Sequence, residues 1–342
     1  MNALNHPVAP VATLRWLLKR EYWEHRGGFL YAPLIAGLVS LAMTTLGIVL
    51  GLFALRRAAS GGELRINDTD VNVNGLDLGL LTRSLDGADI AELGRAMDLT
   101  LLLSSAWPFI VLGFVVFFYC LGALYDDRRD RSILFWKSLP LSDTQTVLSK
   151  VLSAVLVAPL IAVLAAILTM LSFMAMLSVV ALVHGGSPAT LLWGPASPLR
   201  LGAGYLTWIP VHALWALPTA GWLLLCSAWA RSKPFLWAVM LPVFAGAIVS
   251  TTNIMPLLGG STAWFWRHVV GRLLLGVFPG SELAYGAGRA GFADGGADTL
   301  APLLAPSHLA ALLALPDVWI GAAVGLAFIV IAIRLRRRAG EL

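Results

Sequence analysis

The chain has 342 residues, of which 58% are hydrophobic and only 13% are charged. A soluble domain has about 25% charged residues and about 45–50% apolar ones, so this composition cannot cover a water-facing surface. The formal net charge is +5. No basic run in a polar context resembles a nucleic-acid-binding arm, so no nucleic acid is expected as a partner. The composition predicts a multi-pass membrane protein.

Six apolar stretches predict six membrane-spanning helices, because about 20 apolar residues are needed to cross about 30 Å of hydrocarbon. In chain order the spans cover residues 29–55, 99–124, 151–183, 201–230, 234–258 and 318–333. The last stretch is the shortest, but the Arg334 side chain can reach the membrane surface and so extend it. The predicted fold class is an all-α polytopic membrane protein.

Residues 1–28 contain Trp16 and Trp23 among several basic residues. This pattern predicts a cytoplasmic amphipathic helix in the membrane interface, although a basic flank with interfacial aromatic residues explains it equally well. Residues 56–98 are polar and acidic and are predicted to form an extracytoplasmic loop with a turn at Asn74-Gly75. A calcium loop is disfavoured there, because Leu81 stands where a bidentate Glu is required.

The loop at residues 125–150, between the second and third spans, has charges of both signs around a short apolar stretch. The residues that stand out in it are Arg131, Ile133, Leu134, Phe135, Trp136, Lys137 and Leu139. Pro140 ends a short amphipathic helix, and Ser142 with Gln145 forms a capping box that starts the next helix. Large apolar residues among charges are typical of a protein-docking surface, although an ordinary interfacial turn has the same composition.

The segment at residues 259–317, before the sixth span, is long but partly apolar. Its apolar stretches at 264–278 and 300–315 predict two short helices that dip into the outer leaflet without crossing it, with a Gly-rich loop between them. Residues 334–342, after the sixth span, are predicted to form a basic cytoplasmic tail.

The distribution of charge predicts the orientation of the spans. If both termini are cytoplasmic, the inside segments hold 15 basic and 7 acidic residues, and the outside segments hold 9 basic and 12 acidic residues. Cytoplasmic loops of membrane proteins are enriched in Lys and Arg. Both termini are therefore expected on the cytoplasmic side.

The sequence YDDRRDRSILFWKSLPLSDTQTVLSK at 125–150 resembles the corresponding loop of ABC-2-type transporter permeases. Those loops read as Tyr-acidic-Arg, a short hydrophobic helix, SLPLS and a Lys at the start of the third span. The six spans, the interfacial N-terminal helix and the short outer helices agree with that family. The order of predicted elements resembles that of the family over the whole chain. The sequence itself resembles the family only in this loop.

The resemblance implies that residues 131–139 form a coupling helix that inserts into a cytoplasmic ATPase. The chain has no GxxxxGK[ST] sequence, so it is expected to be no enzyme itself and to hold no cofactor or metal; ATP and Mg²⁺ would bind to a separate ATPase chain. The family further implies a dimer of six-span subunits, most simply a homodimer, in the bacterial inner membrane. Its cargo would be an amphipathic or hydrophobic drug, lipid or peptide, moved outward.

Two other functional classes are weaker. An ion-coupled secondary transporter usually needs a carboxylate or another polar ion site within the membrane, and the first five spans contain no Asp or Glu. His212 and Asn253 are the notable polar residues inside the spans, and packed, hydrogen-bonded roles are expected for both. An intramembrane enzyme is third, because there is no HExxH pair and Ser281 has no evident His partner in the sequence.

Overall fold

The computed structural model of the chain describes residues 10–60, 65–66, 69–70, 87–130, 141–252, 255, 260–283, 285 and 300–338. Within these residues six helices are long and apolar enough to cross a membrane, which confirms the six predicted spans. They run over Gly27–Ala54, Gly87–Arg129, Asp143–Val183, Pro198–Trp229, Pro234–Thr252 and Pro316–Arg338. The protein is a multi-pass helical membrane protein.

The helices of the first part of the chain are α1 Pro10–Glu24, α2 Ala32–Ser60, α3 Gly87–Ser104, α4 Trp107–Gly122 and α5 Tyr125–Arg129. A π-helical turn, Gly27–Tyr31, leads from α1 into α2. Two short antiparallel strands, β1 Arg65–Ile66 and β2 Thr69–Asp70, lie between α2 and α3. The turn predicted at Asn74-Gly75 lies outside the described residues.

The helices of the second part are α6 Asp143–Leu152, α7 Ala158–Val183, α8 Pro198–Trp229, α9 Pro234–Thr252, α10 Thr262–Phe265, α11 Arg272–Leu275, α12 Leu300–Leu303, α13 Pro306–Leu313 and α14 Pro316–Arg338. A π-helical turn joins α6 to α7, and another joins α10 to α11. The segment before the last span thus contains short helices on both sides of residues 286–299, which lie outside the described residues.

The second long helix begins earlier than its apolar stretch. α3 starts at Gly87, inside the region predicted as a loop, and only its later turns are apolar. Asp98 on α3 is 4% exposed; its carboxylate accepts a hydrogen bond from the Ser197 backbone N–H at 2.7 Å and pairs with Arg200 at 2.6 Å. These contacts pack the polar part of α3 against the start of α8.

Helix α8 is the centre of the bundle. In its most apolar 18-residue stretch 61% of the residues are buried, against 17% in the corresponding stretches of α2 and α9. Its most extensive contact is with α14, where Gly221 and Gly325 let the two backbones touch. A Cβ atom on Gly325 would lie 2.4 Å from the Leu217 carbonyl carbon, so a larger residue would push the helices apart. Small residues commonly permit such close approach between membrane helices.

The chain alternates between two ends of this bundle. At one end of the bundle, α1, α5, the start of α6 and the last turns of α14 lie together. We call this end the terminal end. The other end carries α10 to α13 and is called the opposite end. Arg334, Arg336, Arg337 and Arg338, predicted as part of a basic tail, continue α14 as helix at the terminal end. Ion pairs of Arg336 with Asp127 and Asp143 hold this last part of the helix in place.

Candidate functional site

Five charged residues from four helices form a buried cluster at the terminal end, which we call the terminal ion-pair cluster. Its members are Glu21 on α1, Asp127 on α5, Asp143 and Lys150 on α6, and Arg336 on α14. Glu21, Lys150 and Arg336 are at most 4% exposed, and Asp127 is 9% exposed. Charged side chains are rarely buried to this extent unless they are paired.

Lys150 connects the N-terminal helix to the start of the third span. Its Nζ lies 3.3 Å from Glu21 Oε1 and 3.8 Å from Asp127 Oδ2. The other Glu21 oxygen accepts a hydrogen bond of 2.8 Å from the Tyr119 hydroxyl group on α4. Helix α1 is thus fixed to the bundle by charge-assisted contacts, which are stronger than neutral hydrogen bonds.

Arg336 bridges two carboxylates that are distant in sequence. Its Nη1 donates to Asp127 Oδ2 at 2.9 Å, and its Nε donates to Asp143 Oδ1 at 3.1 Å. Asp127 precedes and Asp143 follows residues 131–140. One guanidinium group therefore holds together the two ends of the loop between the second and third spans.

Further contacts fix each end of this loop separately. On the first side, Arg128 Nη2 donates to the backbone oxygens of Ser227, at 2.6 Å, and Ala230, at 2.8 Å, at the end of α8. On the second side, the predicted capping box is confirmed: the Gln145 N–H donates to Ser142 Oγ at 3.1 Å, and the Ser142 N–H donates to Gln145 Oε1 at 3.3 Å.

The residues predicted to form the coupling helix all fall between these fixed ends. Arg131, Ile133, Leu134, Phe135, Trp136, Lys137 and Leu139 lie outside the described residues. Their assignment stays a prediction. What the structure adds is the arrangement of the residues that flank them.

A second buried polar group lies in the interior of the bundle, and the sequence did not indicate it. Glu282, from the segment before the sixth span, is 1% exposed, and its Oε2 lies 3.5 Å from Nδ1 of His212, which is 2% exposed. We call these two residues the core acid–base pair. The first five predicted spans contain no Asp or Glu, and the carboxylate comes instead from a neighbouring segment.

Three donors surround the Glu282 carboxylate. The Trp208 indole N–H donates to Oε1, the Gly280 N–H donates to the same oxygen at 3.3 Å, and the Ser281 hydroxyl group donates to Oε2 at 3.3 Å. The buried carboxylate is therefore held by hydrogen bonds from three donors and lies beside His212.

The core acid–base pair does not form a Ser–His–acid chain. In such a chain the imidazole lies between the hydroxyl group and the carboxylate. Here Ser281 Oγ donates directly to Glu282 and accepts a hydrogen bond of 3.1 Å from the Trp215 indole N–H. The carboxylate therefore lies between Ser281 and His212, which does not activate the hydroxyl group as a nucleophile.

No group of three or more His, Cys, Asp or Glu side chains that could hold a metal ion occurs among the described residues.

In comparisons with known proteins, no family model, no curated protein and no solved structure matches the chain.

Proposed function

We propose that the protein is the membrane-spanning subunit of an ATP-driven exporter of the ABC-2 type, and that a separate chain hydrolyses the ATP. The observation that carries the proposal is the bridge that Arg336 forms between Asp127 and Asp143. It fixes both ends of the segment that resembles the coupling helix of that family.

A segment that transmits motion from a soluble ATPase needs rigid connections to the spanning helices. The contacts at the two ends of residues 131–140 reach α1 through Lys150, α8 through Arg128 and α14 through Arg336. A displacement of this segment would therefore act on several spanning helices together. An ordinary interfacial turn has no need for such a set of buried charges, which are costly to remove from water.

The exposed apolar faces of α2 and α9 support the expected dimer. Both helices are largely uncovered by the rest of the chain, and they expose large side chains such as Phe53 and Phe244. A second copy of the chain would cover part of these faces and leave an apolar cavity between the copies. Such a cavity suits an amphipathic or hydrophobic cargo. From the distribution of charge we expect the terminal end to face the cytoplasm.

The proposal is tested by removing the aromatic residues of the predicted coupling helix. We expect the double variant Phe135→Ala, Trp136→Ala to insert into the membrane normally, because no spanning residue changes. Aromatic anchors of interfaces typically contribute about 2 kcal/mol or more each. The variant should therefore lose most of the ATP-hydrolysing protein that co-purifies with the tagged full-length chain.

The matched control is the double variant Trp193→Ala, Trp319→Ala. It removes two exposed aromatic side chains, one shortly before α8 and one in the first turns of α14, which are 46% and 56% exposed. This control should retain the ATPase at the level of the unmodified chain. Equal retention by both double variants would contradict the docking assignment.

The core acid–base pair favours a second candidate, an ion-coupled secondary transporter. Carboxylates and histidines in the membrane interior commonly take part in ion or proton pathways. This candidate predicts that the purified chain acts without any ATP-hydrolysing partner. The same co-purification experiment therefore distinguishes the two functions.

A further inference from the structure

The core acid–base pair lies near the middle of the central helix. His212 is 14 residues after Pro198, the first residue of α8, and 17 residues before Trp229, the last one. At 1.5 Å per residue it is about 21 Å from one end and about 25 Å from the other. A helix of this length crosses the hydrocarbon of the membrane with turns to spare at each side. The pair is thus inside the apolar layer and not at its surface.

Glu282 reaches this depth because its segment folds into the bundle from the opposite end. Gly280 has a φ of +91°, which a residue with a side chain rarely adopts. A Cβ atom on Gly276 would lie 2.4 Å from the Thr219 hydroxyl oxygen, so the segment also passes directly against α8. These two glycines allow the turn and the close approach that bring the carboxylate to His212.

The surroundings of the pair are aromatic. The Trp208 ring stacks on the His212 ring with 4.5 Å between centroids, and the Phe109 ring lies edge-on to Trp208 at 5.5 Å. Nδ1 of His212 makes no hydrogen bond within the described part of the chain. This nitrogen is therefore buried, and its charged neighbour is the Glu282 carboxylate, whose Oε2 lies 3.5 Å away.

Hydrogen bonds and ring contacts lead from the pair to more exposed groups at the opposite end. Glu282 accepts a hydrogen bond from Ser281, which accepts one from Trp215. The centroid of the Trp215 ring is 4.1 Å from the Arg272 guanidinium group and 5.0 Å from the centroid of the Tyr285 ring. The Tyr285 hydroxyl group in turn donates to Asp317 at 2.8 Å and lies 2.8 Å from Nε2 of His268.

These contacts define the charged and titratable groups that face the pair. On the side of the opposite end they are Arg272, Tyr285, Asp317 and His268, which are connected to the pair through the Trp215 ring. Along α8, one turn before Trp208, the Tyr205 hydroxyl group is 2.8 Å from Ser105 Oγ on the side of α3 and α4. Burial lowers the pKa of Arg272, while the neighbouring Asp317 carboxylate opposes this effect. The Arg272 guanidinium group donates to the backbone oxygens of Asp317 and Val318, so its hydrogen bonds among the described residues are at the start of α14 and not with Glu282.

We propose that Glu282 and His212 form a proton-binding site in the interior of the bundle, and that the two residues together hold one proton. With one proton the pair has no net charge, whichever residue carries it. Removing that proton leaves a net negative charge, and adding a second leaves a net positive charge. Either charge is costly in a buried, aromatic environment. The argument applies to an ATP-driven exporter and to an ion-coupled transporter alike.

This site makes stability depend on pH in a defined way. Free Glu and His side chains have pKa values of about 4.3 and about 6.5. Above about pH 6.5 the unfolded chain holds fewer protons on these two residues than the folded chain, so stability falls as the pH rises. Below about pH 4.3 the unfolded chain holds more protons than the folded chain, so stability falls as the pH falls.

The test is the pH dependence of unfolding of the full-length protein in detergent micelles. Relative to the double variant Glu282→Gln, His212→Gln, the unfolding equilibrium constant of the unmodified protein should rise by up to about tenfold per pH unit above about pH 6.5. The single variant Glu282→Gln should lose this slope as well, because an imidazole without its carboxylate partner is buried without a proton. The control His184→Gln should keep it, because Nδ1 of His184 contacts the Val180 oxygen of its own helix at 2.8 Å. A Glu282→Gln variant that keeps the full slope overturns the proposal.

A second measurement applies even if the variants do not fold. Nuclear magnetic resonance of the unmodified protein, labelled with ¹⁵N in His and ¹³C in Glu, reports protonation directly. At pH 8 we expect either one imidazolium signal or one carboxylic acid signal. A spectrum with neither signal overturns the proposal.

Discussion

Arg336 shows how one residue can determine the geometry of a loop far from it in sequence. Its guanidinium group has a planar array of donors, and two of them contact Asp127 and Asp143 at 2.9 and 3.1 Å. A lysine, with a single compact ammonium group, could not reproduce both directions. The neighbouring Arg338 is exposed on the same helix. The four basic residues at the end of α14 are all arginines. They differ only in which way their side chains point from the helix, and therefore in what they contact.

We predict that Arg336→Gln destabilises the protein by about 3 kcal/mol, because removal of one partner leaves buried carboxylates without compensation. The variant should also weaken the association with the ATPase, since the ends of residues 131–140 are no longer held together. Arg338→Gln removes the same charge from an exposed position and should change stability by less than about 0.5 kcal/mol. Unfolding in detergent micelles measures both, and equal effects would contradict the role of Arg336.

At the scale of the element, the closest helix contact in the bundle is between α8 and α14. Gly221 and Gly325 face each other, and a Cβ atom on Gly221 would lie 2.5 Å from the Gly325 carbonyl oxygen. Such contacts between backbones cannot be relieved by a change of side-chain rotamer. Helix α14 must keep this position for Arg336 to reach Asp127 and Asp143.

We predict that Gly325→Ala destabilises the protein by about 1–3 kcal/mol, because the added methyl group forces α8 and α14 apart. Gly47→Ala is the matched control in α2, where no atom lies within 4 Å of the added Cβ. That variant should be neutral or slightly stabilising, since Ala is a better helix former than Gly. Thermal unfolding of the two variants provides the comparison. Equal losses of stability would mean that the α8–α14 contact is not as close as described.

The sequence predicted helices well and contacts between them poorly. Long apolar stretches specify the six spans, and the Ser142 capping box specifies the start of α6, because both depend on neighbouring residues alone. Arg336 and Glu282 could not be recognised in this way. The position of Glu282 depends on how a segment outside the spans folds against α8, and the burial of Arg336 depends on carboxylates about 200 positions earlier in the chain.

At the scale of the whole molecule, the orientation in the membrane is the first property to test. The distribution of charge predicts that the terminal end is cytoplasmic. In a variant that lacks Cys120 and Cys226, the two cysteines of the chain, a single Cys introduced within residues 68–85 should react with a membrane-impermeant thiol reagent in intact cells. A Cys at position 132 should react only after the cells are opened. The reverse pattern, or equal labelling of both positions, would contradict the predicted orientation.

We propose that the chain works as the membrane part of a complex with a separate ATPase. The most direct test is native mass spectrometry of the tagged full-length protein, purified from its own cells in a mild detergent. We predict a complex of two copies of this 36.5 kDa chain with two copies of a protein that contains a GxxxxGK[ST] sequence and hydrolyses ATP. Arg336→Gln should reduce the amount of this complex, and Arg338→Gln should not. A purified protein that consists of this chain alone, with no ATP-hydrolysing partner under any mild condition, would contradict the account.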